Sequence, residues 1–240
     1  MHHQNNIEHP LAQQSRLQSF GRLRGHRLRG RQSGLLKTKL PELEIKLHAG
    51  REITPKELFA NPAQPMWLEI GFGSGEHLVW QAIQNPHIGF IGAEPYINGV
   101  AKLLVAIECH QLSNVRIHHD DVRYLLDSLK PQSLARVFIL FPDPWPKARH
   151  HKRRLINAAT LASLARAMKP GSQLRIASDI ADYQRWIMVH IHGCAKFEWQ
   201  ASSAEDWRYR PTDWPPTRYE KKAHEAGRKS AYLTFQRSAD

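Results

Sequence analysis

The chain has 240 residues, 41% of them hydrophobic, a formal net charge of +12 and two cysteines, Cys109 and Cys194, far apart. That length suits one α/β domain with an N-terminal extension; no apolar run is long enough to span a bilayer, and the cysteine spacing argues against a zinc site and suits a reducing, cytoplasmic setting. The basic excess favours a polyanionic partner, since Lys and Arg displace counterions from phosphates, and no basic amphipathic helix points to a membrane surface.

Residues 1 to about 20 are polar, lack an apolar segment of signal-peptide type and read as disordered. Residues 20–31 form a basic, glycine-punctuated run. Its arginines present the planar fork that matches phosphate, so it reads as an arm for nucleic acid or as a solvated tail. Residues 35–47 alternate apolar and charged side chains around Pro41 and predict a short strand or helix over one edge of the main domain. Thr54, Pro55 and Glu57 spell a capping box with Pro at the first helical position. Residues 61–65 read as a linker. The expected division is therefore a basic, partly disordered arm and edge segment over 1–60 and the main domain over 61–240.

The main domain opens with Met66-Trp-Leu-Glu-Ile-Gly-Phe-Gly-Ser-Gly75, an apolar strand running into a glycine turn, with a helical pattern from His77. Gly71, Gly73 and Gly75 let the backbone turn tightly and approach a ligand closely. A dinucleotide fold wants its third glycine where Glu76 stands, and a glutamate there competes with a pyrophosphate for the helix dipole. S-adenosylmethionine, which has a ribose, an adenine and an amino-acid tail but no phosphate, fits better. A tight turn with no ligand is the other reading.

Strands and helices then alternate. Strands are predicted over 88–93, 115–118, 136–141 and 173–177, with helices through Ile97 to Ile107, Val122 to Leu129, 155–168 and 180–192. Residues 197–199 and 231–235 close the sheet as an antiparallel pair. This order implies a Rossmann-like α/β fold: a mostly parallel seven-stranded sheet, helices on both faces and an antiparallel C-terminal strand. Ligands in such sheets sit beyond the carboxyl ends of the strands. Gly71, Glu94, Asp121, Asp143 and Asp179 fall there.

Glu94 lies 19 residues after Gly75, where an acid binds a ribose diol, or it is a simple loop acid. Asp121 is placed to meet an adenine amino group or to cap the next helix. Glu69, among apolar neighbours, needs a partner if buried, such as the amino group of the methionine moiety; otherwise it is an edge-strand acid. In Phe141-Pro-Asp-Pro-Trp-Pro-Lys147 the prolines fix the backbone around Asp143, Trp145 offers a stacking face and Lys147 a cation. The basic cluster His150-His-Lys-Arg-Arg154 follows.

The glycine loop, the Phe141–Lys147 string with its basic tail, Ser178-Asp179 and Thr217-Arg-Tyr-Glu220 together resemble the bacterial tRNA (guanine-N7-)-methyltransferase family, as does the arginine-rich arm; the likeness runs from about residue 20 to 237. The resemblance implies a class I S-adenosylmethionine-dependent methyltransferase acting on N7 of a guanine in the tRNA variable loop. It assigns Glu69, Glu94, Asp121 and Asp143 to the cofactor, beside Gly71, Gly73 and Gly75, and makes Asp143 catalytic. It associates Lys147, Asp179, Thr217, Arg218, Tyr219 and Glu220 with the substrate, and Arg149, His150, His151, Lys152, Arg153 and Arg154 with RNA. Thr217 and Glu220 also spell a capping box. The implied partner is tRNA, with no metal, no membrane and no obligate protein partner, the chain acting as a monomer or homodimer.

Guanine N7 has a free lone pair and no proton to lose, so positioning can supply most of the rate. Asp143 then orients the base through its N1 and N2 donors or stabilises the charge that develops on the ring. A methyltransferase for an exocyclic amine would place Pro-Pro-Tyr or Pro-Pro-Phe where Pro144-Trp145 stands. A non-catalytic RNA-binding subunit is opposed by the intact glycine loop. Glu76 opposes a nicotinamide-dependent reductase, and the adjacent pairs His118-His119 and His150-His151 oppose a metalloenzyme.

Overall fold

Seven strands, β1 (Met66–Ile70), β2 (Gly89–Ala93), β3 (Val115–His118), β4 (Leu134–Leu140), β5 (Met168–Ser178), β6 (Phe197–Trp199) and β7 (Ala231–Arg237), form one sheet in the order β3-β2-β1-β4-β5-β7-β6. The computed structural model describes residues 20–21, 23–61 and 64–239. The stretch expected to be disordered, 1–19, and the middle of the 61–65 linker lie outside the described residues.

β1 to β5 pair in parallel, while β7 runs antiparallel between β5 and β6. A parallel sheet covered on both faces needs continuous apolar strands, and β2 is buried at all five positions. Each fully buried Leu, Ile or Phe contributes about 1.5–3 kcal/mol by leaving water. One layer holds Leu68, Ile70, Val137 and Ile139. The opposite layer joins Phe90 to α4 (Glu76–Gln84) and α5 (Ile97–His110) through Leu78, Leu103 and Leu104. The register sets Ile70 opposite both Ala93 and Ile139, and Ala93 opposite His118. The loops after the first four strands therefore open along one rim.

Several element ends shift from the sequence reading by a few residues, and two shifts have a visible cause. The helix expected over 155–168 spans Ala158–Ala167, because Asn157 accepts from the Thr160 amide at 3.0 Å and caps it there. β5 begins at Met168, which pairs with Leu134, and Gly171 (φ +77°) carries the chain through the register shift that follows. β7 fills the inside of the sheet, with Tyr232, Leu233 and Phe235 buried.

The segment before the main domain packs into the same core. The helices Gly30–Thr38 and Leu40–Leu43, α1 and α2, bury Leu35, Leu40 and Leu43 in the layer with α5. Ile45, Leu47, Ile53 and Phe59 join the opposite layer, with bridges Glu44–Ile117 and Ile53–Leu129. The box at Pro55–Leu58 (α3) forms, Thr54 N–H donating to Glu57 at 3.3 Å. The described part of the arm is pinned across the start of α5. Gly25 N–H donates to Asn98 Oδ1 at 2.7 Å, Asn98 Nδ2 donates to the His26 carbonyl at 2.7 Å, and Ile97 N–H donates to the Leu23 carbonyl at 3.1 Å. Among the described residues no helix is long and apolar enough to cross a membrane.

Candidate active site

The turn after β1 is left-handed at Gly71 (φ +74°), Gly73 (φ +58°) and Gly75 (φ +82°). Gly73 is confined from two sides: a Cβ on it would lie 3.2 Å from the Tyr219 ring, and its carbonyl sits where a Cβ on Gly99 would be, 2.1 Å away. The α5 backbone therefore approaches the loop as no side chain would permit. Gly73 N–H donates to Glu94 Oε2 at 2.8 Å, and Tyr96 N–H donates to Glu94 Oε1 at 3.0 Å. Glu94 thus ties the loop after β1 to the loop after β2.

Gly71, Gly73, Glu94, Asp121, Asp143 and Tyr219 share a cavity of about 480 Å³ at the carboxyl rim. Burial pushes the Glu94 carboxyl above the usual range; its two amide bonds pull it back, and the charges of Asp143 and Glu69 add to the rise. The Asp143 carboxylate is open to the cavity and bonds no described side chain, yet loss of solvent raises it too. Asp121 answers both of its readings. It stands on the cavity wall, and it caps α6 (Val122–Ser128) by accepting from Arg123 N–H at 3.0 Å. Burial alone would raise its carboxyl. The bonds from Arg123, Nε at 2.9 Å and Nη2 at 2.6 Å, outweigh that and hold it below the usual range.

Asp143 lies in a loop strained at both flanks, since Phe141 (φ +51°) and Trp145 (φ +43°) are left-handed. Each costs about 1–2 kcal/mol for a residue with a side chain. Both rings reach the cavity. Phe141 stacks on Tyr219 with centroids 6.4 Å apart, and Trp145 meets Phe20 edge-on at 6.3 Å.

The basic tail, whose 149–153 stretch lies within the 3₁₀ turn Ala148–Arg153, divides. Lys152, Arg153 and Arg154 line the cavity, and the Arg153 guanidinium lies 4.6 Å from the Phe20 ring and 4.9 Å from that of Trp145. Lys147 and Arg149 are exposed beside it, His150 stands edge-on to Trp145, and His151 packs against Trp186. Arg154, expected among the RNA contacts, is 1% exposed. Its Nε donates to the Pro144 carbonyl at 2.8 Å, its Nη2 bonds Asp182, and its plane lies over the Tyr183 and Trp186 rings.

Glu69 lies off the cavity wall, 4% exposed, with its Oε2 2.7 Å from His77 Nδ1. His77 in turn meets Gln81, whose Nε2 donates to the Asp213 carbonyl at 2.7 Å. The partner Glu69 required is thus a protein side chain eight residues on. Asp179, also off the wall, accepts from Arg228 at 2.6 Å. Of the C-terminal set, Arg218 and Tyr219 face the cavity. Thr217 caps α10 (Arg218–Glu225) by accepting from Glu220 N–H at 3.2 Å, and Glu220 accepts from Tyr232 Oη at 2.5 Å and Arg210 Nε at 3.1 Å. Glu76 accepts from Arg218 N–H at 2.9 Å, so the residue that disfavours a pyrophosphate also docks α10 beside the loop.

Sequence reasoning passed over His77, Arg123, Phe20 and Asp182. Arg123, two residues after Asp121 and in the first turn of the helix it caps, was within reach of a capping argument. The other three depend on contacts distant in sequence or face no titratable motif.

Residues 63–233 match the Methyltransf_4 family of methyltransferases. The tRNA (guanine-N(7)-)-methyltransferase of Nitrobacter hamburgensis is 47% identical over 92% of this chain and 87% of its own. The protein of that name from Mesorhizobium japonicum is 45% identical over 91% of this chain and 94% of its own. Among solved structures, the 16S rRNA methyltransferase KamB superposes with a TM-score of 0.52 at 15% identity, covering 72% of this chain and 88% of that one. The aminoglycoside resistance methyltransferase NpmB1 gives 0.52 at 15%, covering 78% and 94%. These two share the class I methyltransferase fold alone. The relatives share close to half of this chain's residues across nearly its whole described length, and the chain belongs to the tRNA (guanine-N(7)-)-methyltransferase family.

Proposed function

We propose that the chain methylates N7 of a guanine in the variable loop of tRNA with S-adenosylmethionine as donor. The observation that carries this reading is a rim cavity whose wall carries Asp143, a carboxylate with no hydrogen-bond partner among the described residues, together with the glycine loop and the rings of Tyr219 and Trp145. The donor set fits the cofactor. Glu94 and Asp143 are carboxyls raised by burial, and a cationic ligand relieves both. S-adenosylmethionine supplies, when bound, an electrophilic methyl group on a positively charged sulfur.

Glu94 would hold the ribose. An ionised carboxylate has about four acceptor sites, and two backbone amides occupy one on each oxygen. Asp121 has accepted three bonds from Arg123 and keeps a site on Oδ2 for an adenine amino hydrogen. Glu69 would act from beneath the loop, fixed by His77. On the substrate side, Asp143 accepts, so it would engage the N1 and N2 donors of guanine and leave N7, itself an acceptor, free for the methyl group. Trp145 and Tyr219 offer stacking faces, and Lys147, Arg149 and Lys152 offer phosphate contacts. A cytoplasmic monomer or homodimer without a metal completes the reading.

Incubation with labelled methyl donor and bulk tRNA, followed by nucleoside analysis, should yield N7-methylguanosine. A methylated exocyclic amine, or no product, overturns the reading. Asp143→Asn should weaken the cofactor by no more than about tenfold while slowing turnover at saturating cofactor by about 10²-fold or more, the scale of losing one preorganised group; stopped-flow or quench kinetics reads it.

A further inference from the structure

The loop that carries Asp143 has few bonds of its own. Pro142, Pro144 and Pro146 have no N–H to donate, and both flanking aromatics are left-handed. Among the described residues two hydrogen bonds secure 141–146: Phe141 N–H donates to the Ala177 carbonyl at 2.8 Å, and Arg154 Nε donates to the Pro144 carbonyl at 2.8 Å. The first closes the end of β4. The second alone holds the residue next to Asp143.

Arg154 is built to be immobile. It is 1% exposed, its guanidinium lies 5.1 Å from the Tyr183 ring and 4.9 Å from the Trp186 ring, and Nη2 bonds Asp182 in the first turn of α8 (Ala181–His192). The two bonds leave from different nitrogens of one rigid plane. That plane sets the distance between the Asp143 loop and α8. A lysine has three donors but only one nitrogen, and lacks the planar fork whose separated nitrogens reach both partners at once.

We propose that Arg154 is a positioning residue for Asp143, holding the Pro144 carbonyl so that the carboxylate stays aimed into the cavity, and that it makes no contact with RNA phosphate. This rests on the reading of Asp143 as the group that orients guanine. A cation in the basic tail of this loop would ordinarily be assigned to the nucleic acid. Here Lys152, Arg153 and Arg154 all line the cavity, but Arg154 is 1% exposed and directs Nε and Nη2 to the Pro144 carbonyl and Asp182, whereas Lys152 is exposed.

The test compares Arg154→Lys and Asp182→Asn with wild type and Asp143→Asn, using full-length protein, tRNA and S-adenosylmethionine. Single-turnover rate at saturating substrates, cofactor affinity, and tRNA affinity across a salt series are measured, with thermal melting to establish folding. Arg154→Lys should slow single turnover by about 10²-fold, the scale of a small misplacement of a reacting group. Its tRNA affinity, salt slope and cofactor affinity should match wild type. Asp182→Asn, whose side chain is 53% exposed and so tolerant of change, should slow the same step by a smaller factor. A wild-type rate with weakened tRNA binding and a salt slope shallower by about one unit, the mark of a lost phosphate contact, overturns the proposal. If Arg154→Lys does not fold, Asp182→Asn decides: a slowed rate at unchanged tRNA affinity supports the brace, and an unchanged rate overturns it. A wild-type rate in Asp143→Asn strikes the functional reading itself, whereas an impaired Asp143→Asn beside a fully active Arg154→Lys strikes this inference alone.

Discussion

Glu94, Asp143 and Asp121 share one cavity and are pushed in opposite directions. Glu94 and Asp143 are raised by burial, so each contributes stability that is fully present below its unfolded pKa and lost as pH rises through its folded one. Asp121, held down by Arg123, contributes stability present above its unfolded pKa and lost as pH falls through its folded one. A cationic ligand reverses the burden on the raised pair by favouring their ionised forms. S-adenosylmethionine affinity should therefore rise with pH through the window just above the ordinary carboxylate range, and binding should release protons. Calorimetry in buffers of different ionisation enthalpy measures that release; a proton count of zero across the window would count against the pair facing the cofactor. Glu94→Gln should flatten the dependence and weaken the cofactor by about 1.5–3 kcal/mol, the scale of a hydrogen bond to a charged group.

α10 and the glycine loop form one unit although 142 positions separate Arg218 from Glu76. Gly73 meets Tyr219 at the seam. Gly73→Ala puts a Cβ at a left-handed position and 3.2 Å from that ring, so the loop or the tyrosine must shift. Cofactor affinity should fall at least about tenfold, and stability by about 1–2 kcal/mol; calorimetric titration and thermal melting separate the two. Thr217→Ala removes the cap of α10 and should cost about 1 kcal/mol of stability. It should also lower turnover through Tyr219, with wild-type turnover marking the cap as remote from the site. Thr217 and Glu220 were legible as a capping box because that motif is local. The partner of Glu69 was not, since a buried carboxylate demands a partner without naming it. His77 is the second residue of the next helix, where it reads as an ordinary helical residue. The left-handed aromatics beside Asp143 were equally hidden, because prolines announce a rigid loop but do not fix its neighbours at positive φ.

At the scale of the whole chain, strand and helix order was legible from periodicity because each long segment carries its own apolar pattern. In the segment 30–59 the box at Thr54 and Glu57 and a short element near 35–47 were legible, but their docking was not, because the pieces are short and are held by bridges to strands and loops far along the chain, Glu44 to Ile117 and Ile53 to Leu129. Its consequence is electrostatic. The arm begins at the cavity mouth, where Phe20 meets Trp145 and Arg153, and runs on across the start of α5 with Arg24, Arg27 and Arg29 exposed. Arg27 and Arg29 thus extend the basic surface of Lys147, Arg149 and Lys152 over a second element, and the chain's net charge of +12 makes the whole attractive to RNA. Each phosphate contact contributes about 0.7–0.9 to the slope of log affinity against log salt. Replacing Arg27 and Arg29 together by glutamine should therefore make that slope shallower by roughly 1.4–1.8 units. Affinity should fall several-fold at physiological salt while cofactor binding stays at the wild-type value. Filter binding of tRNA over a salt series reads the slope, and an unaltered slope would remove the arm from the RNA interface and leave the turn after Asp143 to carry it.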